Sequence, residues 1–81
     1  MFYCYLLKCK DGTLYCGSAK DLKNREAMHN SGRGSKYVTA HGGGKIVYSE
    51  KFKKWGKALS REAEIKKLTR TKKLLIIKQG T

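Results

Sequence analysis

Phe2-Tyr3-Cys4-Tyr5-Leu6-Leu7-Lys8-Cys9-Lys10-Asp11-Gly12-Thr13-Leu14-Tyr15-Cys16-Gly17-Ser18 is two runs of aromatic, aliphatic and sulfur side chains on either side of a turn. Phe2 to Lys8 and Thr13 to Ser18 have the composition of strands, and Asp11-Gly12 supplies the turn chemistry. The reading is a β-hairpin. A register symmetric about Lys10 places Tyr5 opposite Tyr15 on one face and Cys4 opposite Cys16 on the other. A slip of one residue would send the tyrosines to opposite faces, so register decides whether they share a site.

Beyond the hairpin, Asp21 is a good N-cap for a helix through Asn30 that Ser31-Gly32 ends. Gly32 to Gly44 holds five glycines with Arg33, Lys36 and His41 among them, which predicts an exposed, mobile, basic loop. Lys45 to Ser49 reads as a third strand and Lys57 to about Leu68 as a second helix. A basic helical or extended segment follows from Thr71 to Lys78. The predicted order is β-β-α-β-α-α.

The 81 residues leave room for one domain, spanning 1–81, with modest stability because a small domain withdraws a smaller share of its surface from water. Nineteen Lys and Arg against six Asp and Glu give a net charge of +13, a field that favours phosphate backbones. Cys4, Cys9 and Cys16 are odd in number, lack a CxxC pair and lie in or beside apolar runs. They read as reduced packing residues of a cytoplasmic protein. The apolar opening is interrupted at Lys8, too short for a signal peptide's core or a membrane span.

Two helical faces carry the informative polar residues. Ala58, Leu59, Glu62 and Ile65 share a stripe with Glu62 near its middle, whereas Glu64 points to the Lys-rich side. A carboxylate on a packing face costs free energy unless a cation, a metal or hydrogen bonds compensate it. Its structural alternative is a salt bridge to a lysine or to Arg61. On the first helix, Leu22, Arg25 and His29 share a face, so Arg25 and His29 can reach one ligand together. The plainer reading pairs Arg25 with a carboxylate and makes His29 a cation favoured by the helix C-terminus.

Taken in order, Tyr3-Cys4-Tyr5, Tyr15-Cys16-Gly17, Asp21 to Arg25, His29-Asn30, and Ala58 to Glu62 followed by Ile65-Lys66 resemble the GIY-YIG nuclease domain. More narrowly, the chain resembles the small single-domain members of that superfamily, over roughly Phe2 to Lys78. The resemblance implies an α+β fold, a small three-stranded antiparallel sheet flanked by helices, and metal-dependent hydrolysis of a DNA phosphodiester. By motif position it implies that Tyr5, Tyr15, Arg25 and His29 are catalytic and that Glu62 binds the metal. Tyr3 and Cys4 replace the glycine and isoleucine of the first motif. Ser18 stands where some excision-repair relatives carry a lysine.

Residue chemistry adds detail to those roles. One carboxylate with retained waters suits a single Mg2+ or Mn2+ ion better than zinc. Arg25 offers a fork of donors to the non-bridging phosphate oxygens. Tyr15 is the candidate to position or deprotonate the water with Tyr5 beside it, and His29 is an equal candidate for the base. Gly17, Lys20, Arg33 and Lys36 are expected along the nucleic acid. Three functions remain: an endonuclease acting on distorted DNA or with weak sequence preference, a binding module on the same scaffold, and a subunit whose protein partner supplies specificity. RNA remains an alternative to DNA, and repair, recombination, restriction and mobility are not separated by the residues.

Overall fold

Strands Phe2–Cys9 (β1) and Leu14–Ala19 (β2) form the opening hairpin in a computed structural model that describes residues 1–80. Thr81, the last residue of the predicted domain, lies outside the described residues. At the turn, Gly12 N–H donates to the Cys9 carbonyl at 2.9 Å, Cys9 N–H donates to the Thr13 carbonyl at 2.8 Å, and Gly12 has φ 89°. This is a three-residue loop closed by a left-handed glycine, centred on Asp11 and not on Lys10. Tyr5 therefore pairs with Gly17 and Leu7 with Tyr15, which corrects the expected pairing of Tyr5 with Tyr15. The correction is an even number of residues, so the predicted faces survive: Tyr5 and Tyr15 share one, Cys4 and Cys16 the other.

A third strand, Gly44–Phe52 (β3), pairs antiparallel with β1, and the sheet order is β2-β1-β3. Helices Leu22–Asn30 (α1), Lys36–Ala40 (α2), Trp55–Lys66 (α3) and Arg70–Gln79 (α4) flank it. The result is the predicted α+β arrangement with one added element. The segment expected to be an exposed loop contains α2, because Ser35 caps it through Tyr37 N–H and Val38 is fully buried beside Tyr5 and Leu7. Glycines on both sides of Tyr37-Val38 had masked a short amphipathic turn.

Each face of the sheet has its own core. Tyr5, Leu7, Cys9, Ala19 and Val38 form one cluster, with Tyr15, Leu22 and Ile46 against it. Cys4, Leu6, Cys16 and Ile65 form the other, joined by Phe52 and Ile77. All three cysteines are free and buried. Side chains of α1 are tied to β3: Asn30 exchanges two hydrogen bonds with the Gly44 backbone at 2.8 and 2.9 Å, and Glu26 accepts from Ile46 N–H at 2.7 Å. They satisfy backbone groups that an edge strand would leave open.

On α3 the expected stripe holds at Ala58, Glu62 and Ile65 but not at Leu59, which is exposed. At 100° per residue the first three span about 60°, and Leu59 lies a further 60° or so outside that arc. Among the described residues no helix is long and apolar enough to cross a membrane.

Candidate active site

Tyr5 and His29 form the buried centre of the first face. The Tyr5 ring is 1% exposed and His29 is 2% exposed, and Tyr5 Oη lies 2.8 Å from His29 Nε2. Ser35 N–H donates to His29 Nδ1 at 3.2 Å, so in the neutral ring the proton sits on Nε2 and is donated to Tyr5 Oη. Burial first, and then the charge of Arg25, hold the His29 pKa below its ordinary value. His29 is thus a neutral donor with both nitrogens committed, not a helix-terminal cation. Burial, reinforced by Tyr15, pushes the Tyr5 phenol well above its usual range, while Arg25 works in the opposite direction.

Two glycines make this packing feasible. A Cβ at Gly17 would lie 2.6 Å from Tyr5 Oη, and one at Gly34 would lie 2.3 Å from His29 Nδ1. Gly17, expected along the nucleic acid, is buried against the Tyr5 hydroxyl instead. Gly17→Ala is expected to displace Tyr5 and break its bond to His29, lowering both melting temperature and nuclease activity by at least about tenfold in the latter. Thermal unfolding beside a cleavage assay tests this; wild-type values for both would mean the Tyr5–His29 contact is dispensable.

Tyr15 stands at the half-buried rim. Its ring meets His29 edge-on at 5.5 Å and stacks on Tyr37 at 5.8 Å, and Tyr37 in turn contacts His41 at 4.2 Å. His41 Nδ1 pairs with Asp11 of the hairpin loop, and that bond, with those from Thr13, brings the Asp11 carboxyl down to about 2. The Tyr15 hydroxyl has no hydrogen-bond partner among the described residues. Arg25 is half-buried on α1 and lines an open groove of about 290 Å³ with Phe2, Ala19, Lys20 and Trp55. It has no carboxylate within ion-pair distance among the described residues, so the plainer reading of Arg25 does not hold.

Glu62 approaches from the opposite face. Ser18 on β2 donates to its Oε1 at 2.6 Å, and Lys66, one turn along α3, pairs with Oε2 at 2.7 Å. Arg61 turns away to Glu50 and Glu64. β2 is one of the sheet's two edge strands, and Ser18 and Gly17 are consecutive on it, so Glu62 and the Tyr5–His29 pair lie on either side of that strand. Both Glu62 and Arg25 act electrostatically on Tyr5. Two of the roughly four lone-pair sites of the carboxylate remain open. Among the described residues no group of three or more His, Cys, Asp or Glu side chains could hold a metal ion, so Glu62 would be the single carboxylate ligand of any hard divalent ion bound here.

The profile of the family described as the GIY-YIG catalytic domain matches residues 1–74. The chain belongs to the GIY-YIG family. It is 47% identical over 78 residues to a UPF0213 protein of Staphylococcus saprophyticus, covering 96% of this chain and 95% of that one. A UPF0213 protein of Staphylococcus aureus is 46% identical over 77 residues, covering 95% and 94%. The solution NMR structure of the UPF0213 protein BH0048 from Bacillus halodurans superposes with a TM-score of 0.61 at 36% identity, over 98% of this chain and 85% of that one. A GIY-YIG domain implies nuclease-type activity on a nucleic-acid substrate.

In this GIY-YIG protein the salt bridge from Glu62 to a lysine, expected as the structural alternative, is present at Lys66, and Ser18 adds a hydrogen bond to the same carboxylate. Glu62 and Lys66 have the i, i+4 order that favours pairing on a helix, which was the available signal. Lys66 brings an ammonium beside Glu62 although Ser18 replaces the lysine of some relatives. No sequence signal joins Tyr37 to Tyr15. Arg33 and Lys36 are exposed on either side of Ser35, the residue that bonds His29, while Lys20 extends its ammonium over the Phe2 ring at 5.7 Å. Phe52 and Ile77 join the core, whereas Trp55, Leu74 and Leu75 are exposed.

Proposed function

We propose that this GIY-YIG protein is a divalent-metal-dependent DNA endonuclease, structure-selective or weakly sequence-selective, using one Mg2+ or Mn2+ ion. The observation that carries the reading is Arg25: a half-buried guanidinium without a carboxylate partner among the described residues, beside the Tyr5–His29 pair. Such a group is left with donors for an external anion, and a phosphate accepts them bidentately. Glu62 would hold the ion, which when bound supplies Lewis-acid stabilisation of charge on the phosphate and the leaving oxygen. Water attacks phosphorus as the bond to the leaving oxygen breaks, and Arg25 stabilises the charge spreading over the non-bridging oxygens.

The hydrogen bonds favour Tyr15 over His29 for handling that water. Both His29 nitrogens are engaged, whereas the Tyr15 hydroxyl has no partner among the described residues. Tyr15→Phe is expected to reduce single-turnover cleavage about a hundredfold with little change in stability. Tyr5→Phe should cost about 1–3 kcal/mol of stability, because it leaves the buried His29 Nε2–H unpaired, with a smaller direct effect on chemistry. Equal, mild losses in both variants would remove the water from Tyr15. The function itself is tested by incubating labelled supercoiled, linear, single-stranded, flap and branched DNA with the chain plus manganese, magnesium or chelator. Metal-dependent cutting is expected; binding without cutting on every substrate would favour the binding-module or partner-dependent reading.

A further inference from the structure

The groove beside Arg25 has a base-sized aromatic wall that phosphate chemistry alone does not use. Trp55, the first residue of α3, packs one side on Phe2 with ring centroids 5.4 Å apart and stays 40% exposed. Lys20 and Arg25 supply the groove's charge, and none of the five lining residues is acidic. The neighbouring Asp21 carboxylate is turned away, accepting from Asn24 N–H as the cap of α1. From the proposed nuclease reading, on which it rests, we infer that this groove is a subsite for one unpaired nucleotide. Its base lies on the Trp55 indole and its phosphate on Arg25 and Lys20.

The helix relates this subsite to Glu62. Trp55 and Glu62 are seven residues apart on α3, which is about 10 Å along the axis and only about 20° around it. Between them Ala58 is buried, and its carbonyl accepts from Ser18 Oγ at 3.5 Å. A strand held at Trp55 is therefore about two helical turns from the carboxylate along one side of α3, where Leu59 is the exposed residue between them. Within a duplex both faces of a base are covered by its neighbours, so an indole wall gains a stacking partner only from a base that is unpaired or splayed out. The subsite selects single-stranded, flapped or opened nucleic acid near the cut, and its chemistry is common to DNA and RNA.

Trp55 is the sole tryptophan, so its emission reports this groove without a label. The wild-type chain, in chelator to prevent cutting, is titrated with single-stranded DNA, single-stranded RNA of the same sequence, and a duplex of equal length. Single strands are expected to quench the indole, while a duplex bound through charge leaves it nearly unchanged. Quenching by DNA only, or by RNA only, would support the subsite and assign its source. Fluorescence anisotropy of labelled strands should show about tenfold weaker single-strand binding in Trp55→Leu, unchanged duplex binding, and recovery in Trp55→Phe. Thermal melts of both variants check folding, and the wild-type emission decides the matter if Trp55→Leu does not fold. Silent emission with metal-dependent cutting intact would overturn the subsite and leave the nuclease reading standing. Failure to bind any nucleic acid would overturn both.

Discussion

Arg25→Ala is expected to lower single-turnover cleavage at least about a hundredfold, equivalent to about 2.7 kcal/mol of lost transition-state stabilisation, with little change in melting temperature. The two halves of this expectation come from one geometric fact. Arg25 has no carboxylate within ion-pair distance among the described residues, so its removal strands no buried anion. Its positive charge helps depress the His29 pKa and opposes the rise at Tyr5. Beside a neutral His29 its deletion removes no ion pair and costs mainly the contacts of its stem. Arg25→Lys separates charge from shape: an ammonium lacks the planar fork, so it should restore binding more than cleavage. Wild-type cleavage by Arg25→Ala would place the phosphate elsewhere.

The second large effect is expected at Glu62. Glu62→Ala should abolish metal-dependent cutting to the level of at least a hundredfold loss while DNA binding persists, because the change removes a negative charge from an already basic surface. The effect on stability should be small. Lys66 is 53% exposed and can return to water, and the Glu62 carboxylate is 18% exposed, a pair for which about 0–1 kcal/mol is the usual scale. Ser18 loses its 2.6 Å bond to Glu62 but keeps the Ala58 carbonyl within reach at 3.5 Å. Cleavage assays across a manganese series, beside an electrophoretic binding assay on the same preparation, separate the roles. Undiminished cutting would show that the ion does not depend on Glu62. Loss of binding together with cutting would make Glu62 structural.

Local chemistry carried the sequence reading a long way. The Asp-Gly turn announced the hairpin, although the loop's true centre at Asp11 depends on the left-handed Gly12 and shifts the pairing. Asp21 and Ser31-Gly32 bounded α1 because capping is decided within a few residues. Alternation along the strands put Tyr5 and Tyr15 on one face and Cys4 and Cys16 on the other, and helical spacing aligned Arg25 with His29 and Ala58 with Glu62 and Ile65. Each of these signals has a range of one turn or one strand pair, which a single sequence contains.

What lay beyond that range was set by packing between distant segments. The glycine-rich stretch looked like open loop, yet Val38 within it closes the core and Gly34 lets the chain pass so close to His29 that Ser35 fixes its tautomer. Ordered motif residues named the tyrosines, Arg25, His29 and Glu62; composition and period alone could not bring them together. Only the tertiary structure decided that His29 is neutral and bound to Tyr5, that the Tyr15 hydroxyl has no partner among the described residues, and that Ser18 and Lys66 hold Glu62 across the edge of β2. Burial and hydrogen-bond partners are properties of surfaces meeting, and the surfaces that join Tyr5 to His29 and Ser18 to Glu62 come from residues 24 and 44 positions apart in the chain.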